Sequence, residues 1–373
     1  MFFFSIFLSS SALAEPILDA KEKVLEVLGG ERSSDRHVVE RAAIDGMLDS
    51  IENRTGLSGS RVLTAAERAE ERSWQAGIRD GYGLRVQLIQ GRGFYIEEVI
   101  VDSPAETAGL QSGDIIISIA GQSLSARPAA EMVSLLKQNF EEAVGIEVVR
   151  QNTVRRFAIE KGVFQITMLT KRAPSEDQII GLEFFGSGTA QLLREHLSRV
   201  ADQPLVIDLR DNEGGLWDES IACLELFLPP ELVLGYRRSI NGLALPIVSH
   251  QPHIHAQPLI VLINGGTSGP AELFAITLQH HSRAKILGEP STGFSVDYRY
   301  ELVSESLILK LADAELLSPD QSSWSGQGVQ PDLHLRSKGL QPMTPLNSSV
   351  FSSSSTKMQD VQLNKALQLI SSP

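Results

Sequence analysis

Apolar and polar positions along the chain follow different periods in different stretches, and the changes of period divide the sequence. From Pro16 to about Asp80 the apolar positions recur every three to four residues, which predicts amphipathic helices. From Gly81 to about Lys161, short apolar runs separated by glycines predict strands and turns. From residue 165 to residue 332, strand-like apolar runs alternate with helical patterns, which predicts an α/β core.

The core pattern is clearest between Pro258 and Val296. The apolar run Leu259–Ile263 predicts a buried strand, a glycine turn (264–266) follows, and a helical pattern begins at Ala271. A second strand pattern from Ala284 leads into another glycine. A strand, a glycine turn and a helix in this order are a common way of presenting a nucleophile beside free backbone N–H groups.

The composition is that of an ordinary globular protein, with 42% apolar and 21% charged residues. The net charge of −13 is spread along the chain, which argues against a nucleic-acid partner. The single cysteine, Cys223, cannot form an internal disulfide and lies in an apolar segment, so we expect a buried core thiol.

Three histidines, His250, His253 and His255, have spacings that a metal could use. Prolines surround them, and neither a cysteine nor a carboxylate lies nearby, so we expect a solvated loop and no metal site. The sequence also contains no phosphate-binding loop, dinucleotide fingerprint or zinc-protease helix motif, so we expect no cofactor.

The first residues predict export. Residues 1–14 contain an apolar stretch that ends in Ala12-Leu13-Ala14, which fits the cleavage rule of a secretory signal peptide. The stretch is too short to span a bilayer as a helix. No Lys or Arg precedes it, which a misassigned start codon or an uncleaved signal would explain. No later segment is long and apolar enough to span a membrane, so we expect no stable membrane insertion of the mature chain.

Several segments resemble the carboxyl-terminal processing (tail-specific) serine proteases. Ser103–Leu124 follows the pattern S-P-A-x-x-A-G-L-x-x-G-D of the family's PDZ domain, and residues 204–216 resemble its run L-V-L-D-L-R-x-N-P-G-G-L. The stretch 258–296 resembles the core motif N-x-G-S-A-S-A-S-E with the later G-E-x-x-x-G-K. This frame matches at Asn264, Gly266, Glu272, Gly288, Glu289 and Gly293.

The resemblance covers nearly everything after residue 14 and implies a multidomain α/β protein. We predict a signal peptide (1–14), an N-terminal helical region (15–80), a mostly β PDZ domain (81–162), a ClpP/crotonase-like protease core (163–336), a flexible Ser/Thr/Pro-rich linker (337–359) and a short C-terminal helix (360–373) capped by Asp360. The resemblance places the carboxylate-binding loop of the PDZ domain at Tyr82, Gly83 and Leu84. Successive N–H groups there can cradle a terminal carboxylate.

The residues that carry the family's chemistry are absent from this chain. The resemblance places the family's nucleophilic serine on Gly269, its general-base lysine on Phe294 and the glutamine that orients this lysine on Tyr298. Of the two N–H groups that hold the oxyanion, one falls on Gly214, which is intact. The other falls on Pro270, which has no N–H. Since one oxyanion donor is worth about 10²–10³ in rate, the family mechanism has no route here.

Three functions stay open, and whether the chain is an enzyme is uncertain. We favour a non-catalytic family member in the bacterial periplasm or envelope, which binds peptide or protein C-termini through its PDZ domain or regulates an active homologous protease. The second is an active serine endopeptidase that uses Ser268 with a basic side chain from elsewhere: Lys285, Lys310, His280 or His281. Neighbouring turn residues point in different directions, which weighs against this. The third is a structural or assembly role with a PDZ domain that binds nothing.

Overall fold

The computed structural model of the chain describes residues 33–138, 140, 142–171, 177–304, 307–336 and 360–370. The predicted signal peptide (1–14), the first predicted helix that follows it and the predicted linker (337–359) lie outside the described residues. The chain divides into two compact units. The first comprises residues 1–69, 239–242 and 296–315, and the second comprises residues 70–238, 243–295 and 316–373.

The described helices, in chain order, are α1 (Ser33–Thr55), α2 (Ala65–Gln75), α3 (Pro104–Thr107), α4 (Ala129–Lys137), α5 (Thr189–Arg199), α6 (Trp217–Leu224), α7 (Pro270–His280) and α8 (Val361–Ile370). The described strands are β1 (Arg61–Leu63), β2 (Ile78–Gly81), β3 (Leu84–Ile89), β4 (Gly93–Val99), β5 (Ile115–Ile119), β6 (Gln122–Ser123), β7 (Val144–Arg150), β8 (Thr153–Ile159), β9 (Gly162–Gln165), β10 (Leu169–Lys171), β11 (Ile179–Leu182), β12 (Leu205–Asp208), β13 (Val233–Ser239), β14 (Ala244–Val248), β15 (Leu259–Ile263), β16 (Lys285–Gly288), β17 (Val296–Ser304), β18 (Leu307–Leu317) and β19 (Leu333–His334). Within these ranges, every helix is too short or too polar to cross a bilayer.

The first unit combines α1 with an antiparallel sheet in which β18 pairs with both β1 and β17. Leu48 of α1 and Val62 and Leu63 of β1 are buried. The N-terminal helices are thus present, but the prediction of helix throughout residues 15–80 is wrong at β1 and β2. Both strands are too short to show a period of their own. Each forms by pairing with a strand far away in the sequence, and the local pattern does not reveal that partner.

The second unit contains the mostly β module that the sequence predicts. Its antiparallel sheet has the order β3-β4-β5-β7-β8, with β6 beside β5, while β2 pairs with β9. Ile96, Ile116 and Val148 of the sheet pack with Met132 of α4 in one buried cluster. The helix α3 begins at Pro104, because the Ser103 side chain accepts a hydrogen bond from the N–H of Glu106.

The α/β core, also in the second unit, has the strand order β10-β11-β12-β15-β16-β19. Only β10 runs antiparallel to its neighbour. Alternate residues of β12 face opposite sides, so Ile207 packs in the cluster that contains α5, α6 and α7, whereas Val206 packs in the cluster that contains α8. Cys223 lies in the first cluster and is fully buried, and burial raises the pKa of its thiol. The expectation of a buried core thiol is confirmed.

Charged groups fix α8 to the sheet. Asp360 caps the helix by accepting the N–H of Leu363 (3.0 Å), and its other oxygen bonds to the Arg210 guanidinium (2.7 Å). Arg210 bonds in turn to the carboxylate of Asp208 (2.7 Å), which is only 1% exposed, and to the side-chain oxygen of Gln362 (3.1 Å). The predicted C-terminal helix is therefore present, and its first turn depends on a partly buried guanidinium.

The substitution Arg210→Met tests this dependence. It leaves the Asp208 carboxylate buried without its cation, so we expect the free energy of unfolding to fall by about 3 kcal/mol in urea denaturation. The matched control is Arg194→Met on the exposed surface of α5, which we expect to change it by less than about 0.5 kcal/mol. Equal effects of both substitutions would contradict the role of this ion pair.

Candidate active site

The positions of the family's chemistry lie where parallel strands of the core end. The turns after β12, β15 and β16 come together at the carboxyl edge of the sheet, which is where parallel α/β sheets bind ligands. Gly214 belongs to the first turn, Gly269 to the second and Phe294 to the third. The structure therefore brings these three sequence-predicted positions to one edge.

The side chain of Asn264 joins the first two turns. Its oxygen accepts the N–H groups of Asp211 (2.9 Å) and Gly266 (3.0 Å), and its amide nitrogen donates to the Asp211 carboxylate (2.9 Å). The Thr267 hydroxyl donates to the carbonyl of Leu209 (2.8 Å). Asn264 and Gly266 of the matched frame thus fix the geometry of the turns.

The helix α7 begins at a backbone conformation that favours glycine. Gly269 has φ 54° and ψ −118°, and Pro270 occupies the first helical position, where a missing N–H costs nothing. The Glu272 carboxylate accepts the N–H of Gly269 (2.8 Å). The backbone of the turn to which the resemblance assigns the nucleophile is therefore fixed, and its residue has no side chain.

Glu272 is the centre of a buried hydrogen-bond cluster. Its carboxylate is fully buried and, besides Gly269, accepts the N–H groups of Gly293 (2.6 Å) and Phe294 (2.7 Å) and the hydroxyl of Ser291. The Ser291 hydroxyl in turn accepts the N–H of Val329 (2.6 Å). Burial raises the pKa of Glu272, and the four donors offset this only in part. The cluster fixes the loop after β16 against the start of α7.

Aromatic carbon atoms face the position of the nucleophile. A Cβ atom built on Gly269 would lie 3.3 Å from Cδ1 of Phe294 and 4.0 Å from the Trp217 ring. Two hydrogen bonds fix the backbone of Phe294. Its N–H donates to the Glu272 carboxylate, and its carbonyl accepts the indole N–H of Trp324 (3.2 Å). Sequence reasoning missed Trp217, whose only signal is an aromatic residue directly after the glycine turn.

The remaining oxyanion position also differs from the expectation. The N–H of Gly214, whose φ is 99°, donates to the side-chain oxygen of Asn212 (2.8 Å), so it is already paired. Asn212 is itself fixed, since its amide donates to the carbonyl of Leu182 (2.6 Å). A Cβ atom on Gly214 would lie 2.8 Å from the Pro270 ring. The expectation that the intact glycine offers a free donor is therefore not met in this conformation.

The alternative nucleophile, Ser268, has no described hydrogen bond to a basic side chain. Its N–H donates to the carbonyl of Asn212 (2.9 Å), and its hydroxyl bonds to no described lysine or histidine. His280 and Lys285 have exposed side chains, and His281 bonds to a backbone carbonyl through Nε2 (2.8 Å).

Tyr298 and Lys310 belong to the first unit, on β17 and β18. The Tyr298 hydroxyl donates to the carbonyl of Ser58 (3.0 Å), and the Lys310 ammonium lies 4.2 Å from the centre of the Tyr298 ring. Both side chains thus take part in packing within this unit.

The histidine group does not form a common site. His255 is buried, its Nε2 donates to the carbonyl of Gln203 (2.9 Å) and its Nδ1 accepts from Arg283 (3.0 Å). Burial lowers its pKa, which favours the neutral ring. His250 and His253 are exposed. The expectation of a solvated loop is therefore wrong for His255, which is a core residue.

The predicted carboxylate loop precedes β3. The carbonyls of Tyr82 and Gly83 accept the N–H groups of Ala105 (2.9 Å) and Ile100 (2.9 Å), whereas the N–H groups of the same two residues donate to no described residue. Gly83 has φ 78°, and a Cβ atom on it would lie 2.1 Å from the Ser103 side chain, so the position requires glycine. Leu84 opens β3 and is half-buried.

The residue after this loop connects the PDZ-like sheet to the core. Arg85 of β3 bonds to the Glu183 carboxylate (2.7 Å), which also accepts the hydroxyl of Thr170 (2.6 Å). These side chains border a cavity of about 400 Å³ that is also lined by Asp211 and Glu213, next to the Gly214 turn. Leu84 and Arg85, at the end of the loop, thus line the same cavity of the second unit as Asp211 and Glu213.

Comparison with known proteins agrees with this geometry. The model of peptidase family S41 matches residues 178–335, and that of the PDZ domain matches residues 95–150. The probable CtpA-like serine protease of Staphylococcus haemolyticus is 23% identical over 86% of this chain and 65% of its own length. That of Staphylococcus epidermidis is 23% identical over 84% of this chain and 63% of its own length. The chain therefore spans less than two thirds of the length of these relatives.

Two solved structures share the fold. The photosystem II D1 C-terminal processing protease has a TM-score of 0.54 and 21% identity, and the match covers 84% of this chain and 85% of that one. A putative S41 protease from Bacteroides fragilis has a TM-score of 0.56 and 16% identity, covering 86% and 87% of the two chains.

The fold is thus a multidomain α/β architecture with an N-terminal helix, a PDZ domain, an S41 protease core and a short C-terminal helix, as the sequence predicts. Residues 178–335 thus form a core of peptidase family S41 and residues 95–150 belong to a PDZ domain, and the chain as a whole is similar to CtpA-like serine proteases.

The substitution Glu272→Gln tests the buried cluster. Either orientation of the amide turns an NH₂ group toward two hydrogen-bond donors, because Oε2 accepts the N–H groups of Gly269 and Phe294 and Oε1 accepts the N–H of Gly293 and the Ser291 hydroxyl. We expect the free energy of unfolding to fall by about 2–4 kcal/mol, measured by urea denaturation at neutral pH. Glu195→Gln, on the exposed face of α5, is the matched control.

The same pair of variants gives a pH test. Because the pKa of Glu272 in the folded protein lies above its ordinary value of 4.5, the folded state binds this proton more tightly than the unfolded state. The contribution of Glu272 to stability therefore falls as the pH rises through the window above 4.5. Glu272→Gln should lose this slope and Glu195→Gln should keep it. A slope that is the same in both variants would contradict the raised pKa.

Proposed function

We propose that this protein binds the C-termini of peptides or proteins through its PDZ domain and does not hydrolyse them. The main support for the absence of hydrolysis is the surroundings of Gly269. This residue has no hydroxyl, and the Phe294 ring, which cannot accept a proton, lies next to it. Pro270 removes one oxyanion donor, and Asn212 occupies the other.

The proposal of binding rests on the loop before β3. An N–H that is shielded from water and has no acceptor is costly. Gly83 is buried and Tyr82 is half-buried, and the N–H groups of both donate to no described residue. A terminal carboxylate would satisfy them, and β3 lies at the end of its sheet, where a peptide can add as a further strand.

The cellular setting is part of the proposal. The signal-like residues 1–14 support export to the bacterial periplasm or envelope, where the chain would bind unfolded or C-terminally exposed segments or regulate an active homologous protease. No cofactor is needed for either role.

The first test is proteolysis of an unfolded protein substrate by the wild type, by Ser268→Ala and by the triple variant Gly269→Ser, Pro270→Ala, Phe294→Lys. We expect the wild type and Ser268→Ala to be equally inert. The triple variant should gain at most slow cleavage, because Asn212 still occupies the N–H of Gly214. Cleavage by the wild type that Ser268→Ala abolishes would establish a shifted nucleophile and refute the proposal.

The second test is titration of the protein with a fluorescent peptide that ends in a free carboxylate, followed by anisotropy. We expect saturable binding that an amidated C-terminus weakens at least tenfold, which corresponds to about 1.4 kcal/mol. Gly83→Ala should abolish binding, because its Cβ would meet the Ser103 side chain. Gly91→Ala is a matched control, since it has a similar φ of 72° and open space around it. Equal binding of both peptide forms, or of neither, would favour a structural role.

A further inference from the structure

The cavity of about 400 Å³ in the second unit is not used by the proposed function. Tyr82 and Gly83, which carry the proposed carboxylate loop, do not line it. Its volume is typical of a site for a small molecule. Ile100, Ile166 and Phe184 give it an apolar part, and six charged side chains also line it: Arg79, Arg85, Glu98, Glu183, Asp211 and Glu213.

Three of these charged groups interact with each other. The Arg85 guanidinium bonds to the Glu183 carboxylate (2.7 Å) and lies 3.6 Å from that of Glu98. The other oxygen of Glu183 accepts the hydroxyl of Thr170 (2.6 Å). Arg85 is therefore not available to a ligand, and the charged groups that remain around the cavity are Arg79, Asp211 and Glu213.

Arg79 presents a guanidinium edge that no described carboxylate occupies. Its Nη1 donates to the carbonyls of Trp74 (2.8 Å) and Ile78 (3.2 Å), and the guanidinium carbon lies 4.8 Å from the centre of the Trp74 ring and 4.7 Å from that of Phe184. These contacts fix the half-buried side chain. Its Nε and Nη2, the two donors that bind a carboxylate in bidentate geometry, have no described acceptor.

Asp211 and Glu213 supply acceptors on the same cavity. Oδ1 of Asp211 accepts the amide of Asn264 (2.9 Å), whereas its Oδ2 and the Glu213 carboxylate form no described hydrogen bond. Burial lowers the pKa of Arg79, and the negative charge of Glu213 acts in the opposite direction. The two opposite charges are thus near each other, although no described hydrogen bond joins them.

We infer that this cavity binds a small zwitterion with an apolar side chain, either a free α-amino acid or a short peptide. The carboxylate of the ligand binds the Nε–Nη2 edge of Arg79, and its ammonium group binds Asp211 and Glu213. A ligand with only a negative charge is repelled by the two carboxylates, and one with only a positive charge leaves the guanidinium edge empty. A ligand with both charges satisfies all three groups.

Isothermal titration calorimetry with leucine and with leucyl-leucine tests the site, since both ligands carry the two charged ends and differ in length. We expect saturable binding of at least one of them to the wild type. N-acetylation of leucyl-leucine removes the ammonium group and C-amidation removes the carboxylate. Each modification should weaken binding at least tenfold.

Two variants assign the two ends of the ligand. Arg79→Met keeps an apolar chain between the two rings and should weaken leucyl-leucine at least tenfold, but not the amidated form, which has no carboxylate. Glu213→Gln should weaken leucyl-leucine and strengthen the acetylated form, because it removes a repelling charge. The Glu213 side chain has no described hydrogen bond to lose, so this variant tests the site even if Arg79→Met does not fold.

Arg194→Met and Glu195→Gln on the exposed face of α5 are the matched controls and should bind like the wild type. Gly83→Ala, which blocks the carboxylate loop, should also bind leucyl-leucine like the wild type. Binding that Gly83→Ala abolishes and acetylation leaves unchanged would place the ligand on that loop and overturn the inference. Absence of saturation by both zwitterions up to about 10 mM, or equal effects of the cavity and control variants, would overturn it as well.

Discussion

The buried carboxylate of Glu272 is the interaction on which the geometry of the site depends. A carboxylate without water must receive hydrogen bonds to be tolerated, and here four donors from two separate segments converge on it. Meeting that requirement determines where α7 begins and how the loop after β16 runs. It also places Phe294 directly against Gly269, because the N–H groups of both residues bond to the same oxygen.

This arrangement separates the frame of the site from its chemistry. Asn264, Gly266, Glu272 and Gly293 match the family motif, and each forms hydrogen bonds that shape the backbone. None of these bonds involves the side chain of residue 269 or 294. The family fold can therefore persist after substitution of the groups that would perform hydrolysis, and the PDZ loop, which shares no residue with the frame, can keep its own open N–H groups.

The sequence predicted the parts of the structure whose causes are local. The strand Leu259–Ile263, the glycine turn after it and the helix from Ala271 follow from period and turn chemistry, and the structure has all three. The carboxylate loop at Gly83 and the assignment of the family's serine to Gly269 came from the resemblance instead, and both stay predictions.

What the sequence did not predict depends on distant partners. Strand β1 exists because β18 lies beside it, and His255 is buried because Gln203 and Arg283 bond to its ring. The pairing of the Gly214 N–H with Asn212 requires a particular side-chain rotamer, and the contact of Trp217 with the Gly269 position joins two turns far apart in the chain. None of these leaves a period or a motif in the local sequence.

The backbone at Gly269 has a consequence for any variant that places a side chain there. A side chain held at φ 54° and ψ −118° stores strain of about 1–3 kcal/mol, whereas glycine adopts this conformation without that cost. A chain with serine at this position therefore starts from a lower stability than this one, and stabilising contacts elsewhere have to offset the difference.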